Sequence, residues 1–264
     1  MSNDDPVIEV FGDAASDRSH GAAEIETSLV RRLLSVRSRW SRSSLQAGAA
    51  LLAEGQPAMA NLRSLSERSA NSRLEELHAW LERRRETLTD LPELLAANAW
   101  PSIHAAKLAI TISRSSAVAA VVQGAWSRGW PGSVVVFDGT ASGRGRDQAR
   151  LLAEAGDAVS QPDASASAWL EKPRAIVLVG ADAVGPSRFV NATGTRNLLM
   201  LARLLGVTAM LVADTGKDVS EEVVDDVLES SPRHHDGVGR DWAVFEGVEL
   251  RLVSARVSER EGVC

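Results

Sequence analysis

The strongest constraint on the fold is a change of pattern near Ala105. Beyond it, short apolar runs of strand length recur with helical segments between them. Leu108–Ile112, Ser133–Phe137, Ala175–Val179 and Thr208–Ala213 carry no charged residue. The intervening Ser115–Trp126, Arg146–Ala155 and Thr193–Leu205 space their apolar residues for helices. Strands that are apolar throughout and separated by helices predict a parallel sheet covered on both faces. Further on, the acidic Ser220–Leu228 reads as a helix and Ser230–Arg240 as a polar loop. Leu250–Glu259 reads as a helix or, nearly as well, a strand.

Before the switch the period is helical. Ile25, Leu29, Leu33 and Val36 share one face, and Leu45, Ala49 and Leu52 another. Pro57 suits the first turn of a helix carrying Met59, Leu62 and Leu65. Leu74, Leu77, Leu81 and Leu88 continue the trend, and a short helix after Pro92 closes it. No run there resembles a strand. Residues up to about Ser19 are polar, Asp-rich and aperiodic, which reads as a frayed tail. The expected class is therefore α/β: a disordered tail over 1–19, a helical N-terminal domain over 20–105, and a Rossmann-like parallel-sheet domain over 106–264.

Composition removes several functions. With 29 basic and 35 acidic residues the formal charge is −6, which argues against a sequence-independent nucleic-acid binder. The apolar runs are too short to span a bilayer, and the opening Met-Ser-Asn-Asp-Asp lacks a signal-peptide pattern. The single cysteine, Cys264, excludes an intrachain disulfide, a zinc knuckle and a Cys–His nucleophile. A cytoplasmic protein without a cofactor or resident metal is expected.

In an open parallel sheet, ligands bind where the strands' carboxyl ends lead into helices. After the first strand comes Thr111-Ile112-Ser113-Arg114-Ser115-Ser116, whose hydroxyls and amides can cap a helix or hold a phosphate. After the second, Asp138–Arg146 offers glycines and arginines to an anion. Gln148 stands where a dinucleotide fingerprint needs its last glycine, so NAD is not expected. Asp182, after the third strand, suits a general acid/base or a sugar-hydroxyl acceptor, or merely an Asx turn. After the fourth comes Asp214-Thr215-Gly216-Lys217. His234-His235-Asp236 reads as a solvated turn and not as a metal cluster. Neither a G-x-S-x-G elbow nor a P-loop is present.

Together these segments resemble the translation initiation factor 2B alpha/beta/delta subunit family, which includes methylthioribose-1-phosphate and ribose-1,5-bisphosphate isomerases. Gly180-Ala181-Asp182-Ala183-Val184, then Asn191 and Gly194-Thr195, is similar to its G-A-D-x-[IV]…N-K-x-G-T signature, with one residue fewer between the halves. Thr111–Ser116 resembles the regulatory subunits' T-x-S-x-S-S. Val134–Asp138 with Gly145-Arg146 resembles a strand ending in E-[ST]-R-P and its following G-R. Ala213–Lys217 resembles A-E-T-x-K. Phe245, Leu252–Ala255, Ser258-Glu259 and Gly262-Val263 resemble the closing motifs, and Gly55-Gln56-Pro57 an N-domain R-P-T turn. The match runs in order over about residues 20 to 263.

The resemblance implies a helical domain, a Rossmann-like domain and dimerisation through the latter. In the isomerases a cysteine and an aspartate move protons or hydride between C1 and C2 of a phosphorylated sugar. Asp182 matches the aspartate, and Ser113 stands at the cysteine. Thr140 and Ala192 replace an arginine and a lysine, and His20-Gly21-Ala22 corresponds to the arginine-glycine-alanine phosphate turn without its arginine. Three expectations follow. The first is a non-catalytic, regulatory-subunit-like protein binding a sugar phosphate or nucleotide monophosphate, as a homodimer or with a related subunit. Its ligand residues would be Gly21, Arg114, Ser115, Ser116, Gly145, Arg146, Asn191 and Lys217. The second is an aldose–ketose isomerase of a phosphorylated ribose, with Asp182 and Ser113 as its catalytic pair. The third is an interaction protein with a decayed pocket.

Overall fold

A computed structural model describes residues 5–17, 19–139, 143–231, 233–235 and 241–260. Thr140, Asp236, Gly262, Val263 and Cys264, all weighed above, lie outside the described residues. The chain divides into two compact units, Met1–Asp90 and Leu91–Cys264.

The first unit holds α1 (Pro6–Ser16), α2 (Ala22–Ser35), α3 (Arg42–Gly55), α4 (Ala60–Asn71) and the start of α5 (Leu74–Ile103). Helix α1 corrects the expectation of a disordered tail. Asp5 caps it by accepting the Val7 amide, and Pro6 pre-sets its first turn. Val7, Val10, Phe11 and Ala14 recur at helical spacing and are buried, while Glu9 and Asp13 face water. Helix α3 makes room for it with glycine: a Cβ on Gly48 would lie 2.2 Å from the Phe11 ring. The Gln56 amide closes the far end, donating to the carbonyls of Ala14 (3.0 Å) and Asp17 (2.6 Å).

An ion pair is buried inside this unit. Glu26 is 2% exposed, and its carboxylate takes a bidentate pair from Arg84 at 2.6 and 2.8 Å. Asn61 Nδ2 donates to the same carboxylate at 2.8 Å. A buried charge is tolerable only when paired and hydrogen-bonded in this way.

No separate helix starts after Pro92, since α5 runs through both Pro92 and Pro101. The boundary between units falls within this helix instead of near Ala105. Its latter part packs in the second unit: Asn98 Nδ2 donates to Ser258 O at 2.8 Å, and Ala96 lies against Gly124 of the next helix.

In the second unit, β1 (Leu108–Ile112), α6 (Ser116–Ser127), β2 (Ser133–Phe137), α7 (Arg144–Ala153), β3 (Ala158–Gln161), α8 (Ala166–Leu170) and β4 (Ala175–Val179) follow in order. After them come β5 (Ala183–Val184), β6 (Arg188–Ala192), α9 (Thr195–Leu204), β7 (Thr208–Val212) and α10 (Glu221–Glu229). The last elements are β8 (Arg233–His235), β9 (Asp241–Ala243), β10 (Phe245–Glu249) and β11 (Ala255–Val257). Six strands form one parallel sheet in the order β11-β7-β4-β1-β2-β3. Strand order therefore reverses between β1 and β4, and such a switch point opens a crevice at the strands' carboxyl ends. On one face Leu108, Ile110, Ile112, Val177 and Val179 meet Leu198, Leu199 and Ala202 of α9.

The alternation predicted from sequence gives β1, β2, β4 and β7 correctly, and the α/β class with them. It misses the antiparallel sheet β10-β6-β5 beside the main one. Part of the expected polar loop forms β8, and Leu250–Glu259 resolves into a 3-10 turn followed by β11. Among the described residues no helix is long and apolar enough to cross a membrane.

Candidate functional site

The crevice is framed by the turns that leave β1 and β4. At the end of β1, Ser113 is buried and takes a left-handed conformation (φ 60°), and its amide donates to Phe137 O at 2.8 Å. A serine held there is strained by about 1–2 kcal/mol, so the surrounding turn must fix it. Ser115 caps α6 by accepting the Val118 amide at 3.3 Å. Gln148 of α7 donates to Ser115 O at 3.0 Å, so the residue that breaks the dinucleotide fingerprint ties this turn to the next helix. At the end of β4, a Cβ on Gly180 would lie 2.4 Å from Ser115 Oγ. Only glycine lets the two turns approach so closely.

Asp182 stands at the mouth, its amide donating to Val190 O at 2.8 Å and its side chain partly exposed. Loss of hydration pushes its carboxyl above the ordinary aspartate range, and the cations of Lys217 and Arg144 pull part of that rise back. Lys217 is 6% exposed, and its Nζ donates to Ala181 O at 2.5 Å. The turn carrying it starts at Asp214, whose carboxylate accepts the Gly216 amide at 3.0 Å. A desolvated carboxyl, two cations, a strained serine and a hydroxyl-capped helix start thus cluster at the switch point. Perturbed titratable groups in a crevice of this kind mark functional sites.

The structure distributes the residues singled out from the sequence unequally. Ser113, Arg114, Ser115 and Ser116 form the β1–α6 turn, and Asp182 and Lys217 belong to the neighbouring turns. Gly145 and Arg146 open α7, where Asp138 accepts the Gly145 amide at 2.9 Å and lies 3.5 Å from Arg146 Nε. Asn191 is buried on β6, and its side chain donates to Thr195 Oγ1 at 3.0 Å. Gly21 lies in the other unit as the N-cap of α2, its amide donating to Glu24 at 2.9 Å.

A cavity of about 650 Å³ adjoins the crevice at the ends of β1 and β2. Ile112, Phe137, Leu198 and Leu201 give it apolar walls, and Asp163 and Glu246 are its charged lining residues. Asp163 accepts the amides of Asp138 (2.9 Å) and Gly139 (3.0 Å). Glu246 accepts those of Gly194 (2.8 Å) and Arg196 (2.9 Å) at the start of α9. Gly194 reaches that position with φ 105°, outside the range of ordinary side chains. Neither carboxylate was recognised in the sequence, nor was Arg144 as a partner of Asp182. Glu246 reaches α9 through an antiparallel pairing with Asn191, 55 residues away in the chain, and no local motif announces it.

Fold and crevice together define a two-part α/β protein with a polar crevice at its topological switch point. The chain belongs to the Initiation factor 2 subunit family, whose model matches residues 18–233. No curated protein matches it. Among solved structures it is similar to the Pyrococcus horikoshii OT3 translation initiation factor eIF-2B, at 20% identity and a TM-score of 0.81, over 97% of this chain and 96% of that one. It is also similar to the tetrameric eIF2B-beta2-delta2 complex from C. thermophilum (16%, TM-score 0.75, 98% and 93% covered). A third likeness is eIF2B delta from Chaetomium thermophilum (18%, 0.74, 97% and 98%). At these identities the likeness establishes a shared fold.

Proposed function

We propose that this chain is a non-catalytic, regulatory-subunit-like member of its family. It binds a sugar phosphate or nucleotide monophosphate in the crevice between β1 and β4. The observation that carries this reading is the polarity of the crevice: two cations, Lys217 and Arg144, act on Asp182, and Ser113 stands where a catalytic member would hold a thiol. The first-turn amides of Ser116 and Ala117 donate to no acceptor among the described residues, which leaves them available to a phosphate. A serine hydroxyl ionises far above a cysteine thiol, so it is a poor proton donor near neutral pH. Assembly as a dimer or with a related subunit is supported by the solved complex of similar fold. A cytoplasmic location accords with the translation-factor family.

A thermal-shift series with ribose 5-phosphate, AMP and GMP tests the binding. The melting temperature should rise with ligand concentration. A flat response to all three would contradict the reading and favour an interaction protein with a decayed pocket.

One observation favours a second reading. The raised carboxyl of Asp182 retains its proton to higher pH than an ordinary aspartate, as a general acid must. As an isomerase, the protein would convert ribose 1,5-bisphosphate or methylthioribose 1-phosphate to the ketose, and Asp182→Asn would abolish that. The non-catalytic reading predicts no ketose from the wild type.

A further inference from the structure

We infer that Glu246 and Asp163 are specificity-determining residues that restrict the ligand to a single phosphoryl group. This rests on the proposed binding of a phosphate ester, and it narrows the class of ester. In a parallel α/β sheet, phosphoryl groups are held by backbone amides in the turns that follow the strands. Here several of those amides already hold a carboxylate supplied by the chain. After β2, Asp163 takes the amides of Asp138 and Gly139, and Asp138 takes that of Gly145 at the start of α7. At the start of α9, Glu246 takes the amides of Gly194 and Arg196. After β7, Glu259 takes the Thr215 amide at 2.9 Å and also its hydroxyl.

The β1–α6 turn differs, because its cap is the neutral Ser115 hydroxyl. One phosphoryl group can bind there without displacing a carboxylate. A second, carried on the same small molecule, would enter the adjoining cavity of about 650 Å³. It would meet Asp163 and Glu246 on amides they already occupy, so its charge would face two carboxylates, with the neutral side chains of Ser167 and Asn197 as the lining donors. Like charges disfavour each other, more at half-buried Glu246 than at exposed Asp163, where water screens the interaction. The cavity therefore suits the uncharged remainder of a monophosphate.

Calorimetric titration with matched ligands tests this: ribose 5-phosphate against ribose 1,5-bisphosphate, and AMP against ADP. The wild type should bind each monophosphate at least as tightly as its doubly phosphorylated partner. Glu246→Gln keeps the one oxygen that accepts both amides while removing the charge, and Asp163→Asn keeps Oδ1, which lies 2.9 and 3.2 Å from the Asp138 and Gly139 amides. The double variant should gain about tenfold in affinity for ribose 1,5-bisphosphate, the worth of one charged hydrogen bond from a new side-chain amide N–H once the opposing charges are gone, with ribose 5-phosphate affected less. Tighter binding of the doubly phosphorylated ligands by the wild type would overturn the inference alone. An unchanged preference in a folded double variant would overturn it as well. Failure of every ligand to bind the wild type would overturn the proposed function, and the inference with it.

Discussion

Each unit takes an acidic side chain out of water, fully at Glu26 and in part at Asp182, and the two treat it in opposite ways. Glu26 in the helical unit is 2% exposed, yet Arg84 and Asn61 give its carboxylate three short hydrogen bonds. Asp182 in the α/β unit lies beside Lys217 and Arg144, but burial outweighs them and its carboxyl is pushed up. The first arrangement is complete without a ligand. The second leaves two cations and a destabilised carboxylate around a crevice, the arrangement on which the proposed ligand binding rests.

The largest effect that could break this contrast is at Glu26. Glu26→Ala should cost about 3–5 kcal/mol of stability, because it strands the Arg84 guanidinium in the interior. Urea unfolding measures it, and a loss under 1 kcal/mol would mean that the pair is dispensable. A smaller effect of opposite sign is expected at Asp182. Its folded pKa is raised, so its contribution to stability is fully present below the ordinary aspartate value and is lost as pH rises through the folded pKa. Asp182→Asn should therefore melt a few degrees above the wild type at pH 7. The gap should close as the pH falls below the ordinary aspartate range. A lower melting temperature at pH 7 would make Asp182 a structural partner of Lys217. The smallest effect is at the start of α6: Ser115→Ala removes its cap and should cost about 1 kcal/mol, read from the same melts.

Much of the α/β unit was legible because its central strands are apolar on both faces, as Ala175–Val179 and Leu108–Ile112 illustrate. Strands β5 and β6 escaped notice because one is only two residues long and the other mixes Arg188 and Asn191 with apolar neighbours. Helix α1 had the right spacing in Val7, Val10, Phe11 and Ala14, but the acidic residues among them masked it. The site divides similarly. Ser113, Asp182 and Lys217 follow strands in the chain, so local pattern finds them. Glu246 and Asp163 reach their amides from 52 and 25 residues away, and only the fold brings them there.

The account turns on whether Asp182 stands at a phosphate site. A pH titration of its side-chain carboxyl by NMR, with and without ribose 5-phosphate, addresses that directly. The free protein should titrate above the ordinary aspartate range, and bound ligand should move the midpoint further up, since a nearby anion opposes ionisation. An ordinary midpoint that ligand leaves unmoved would contradict the account.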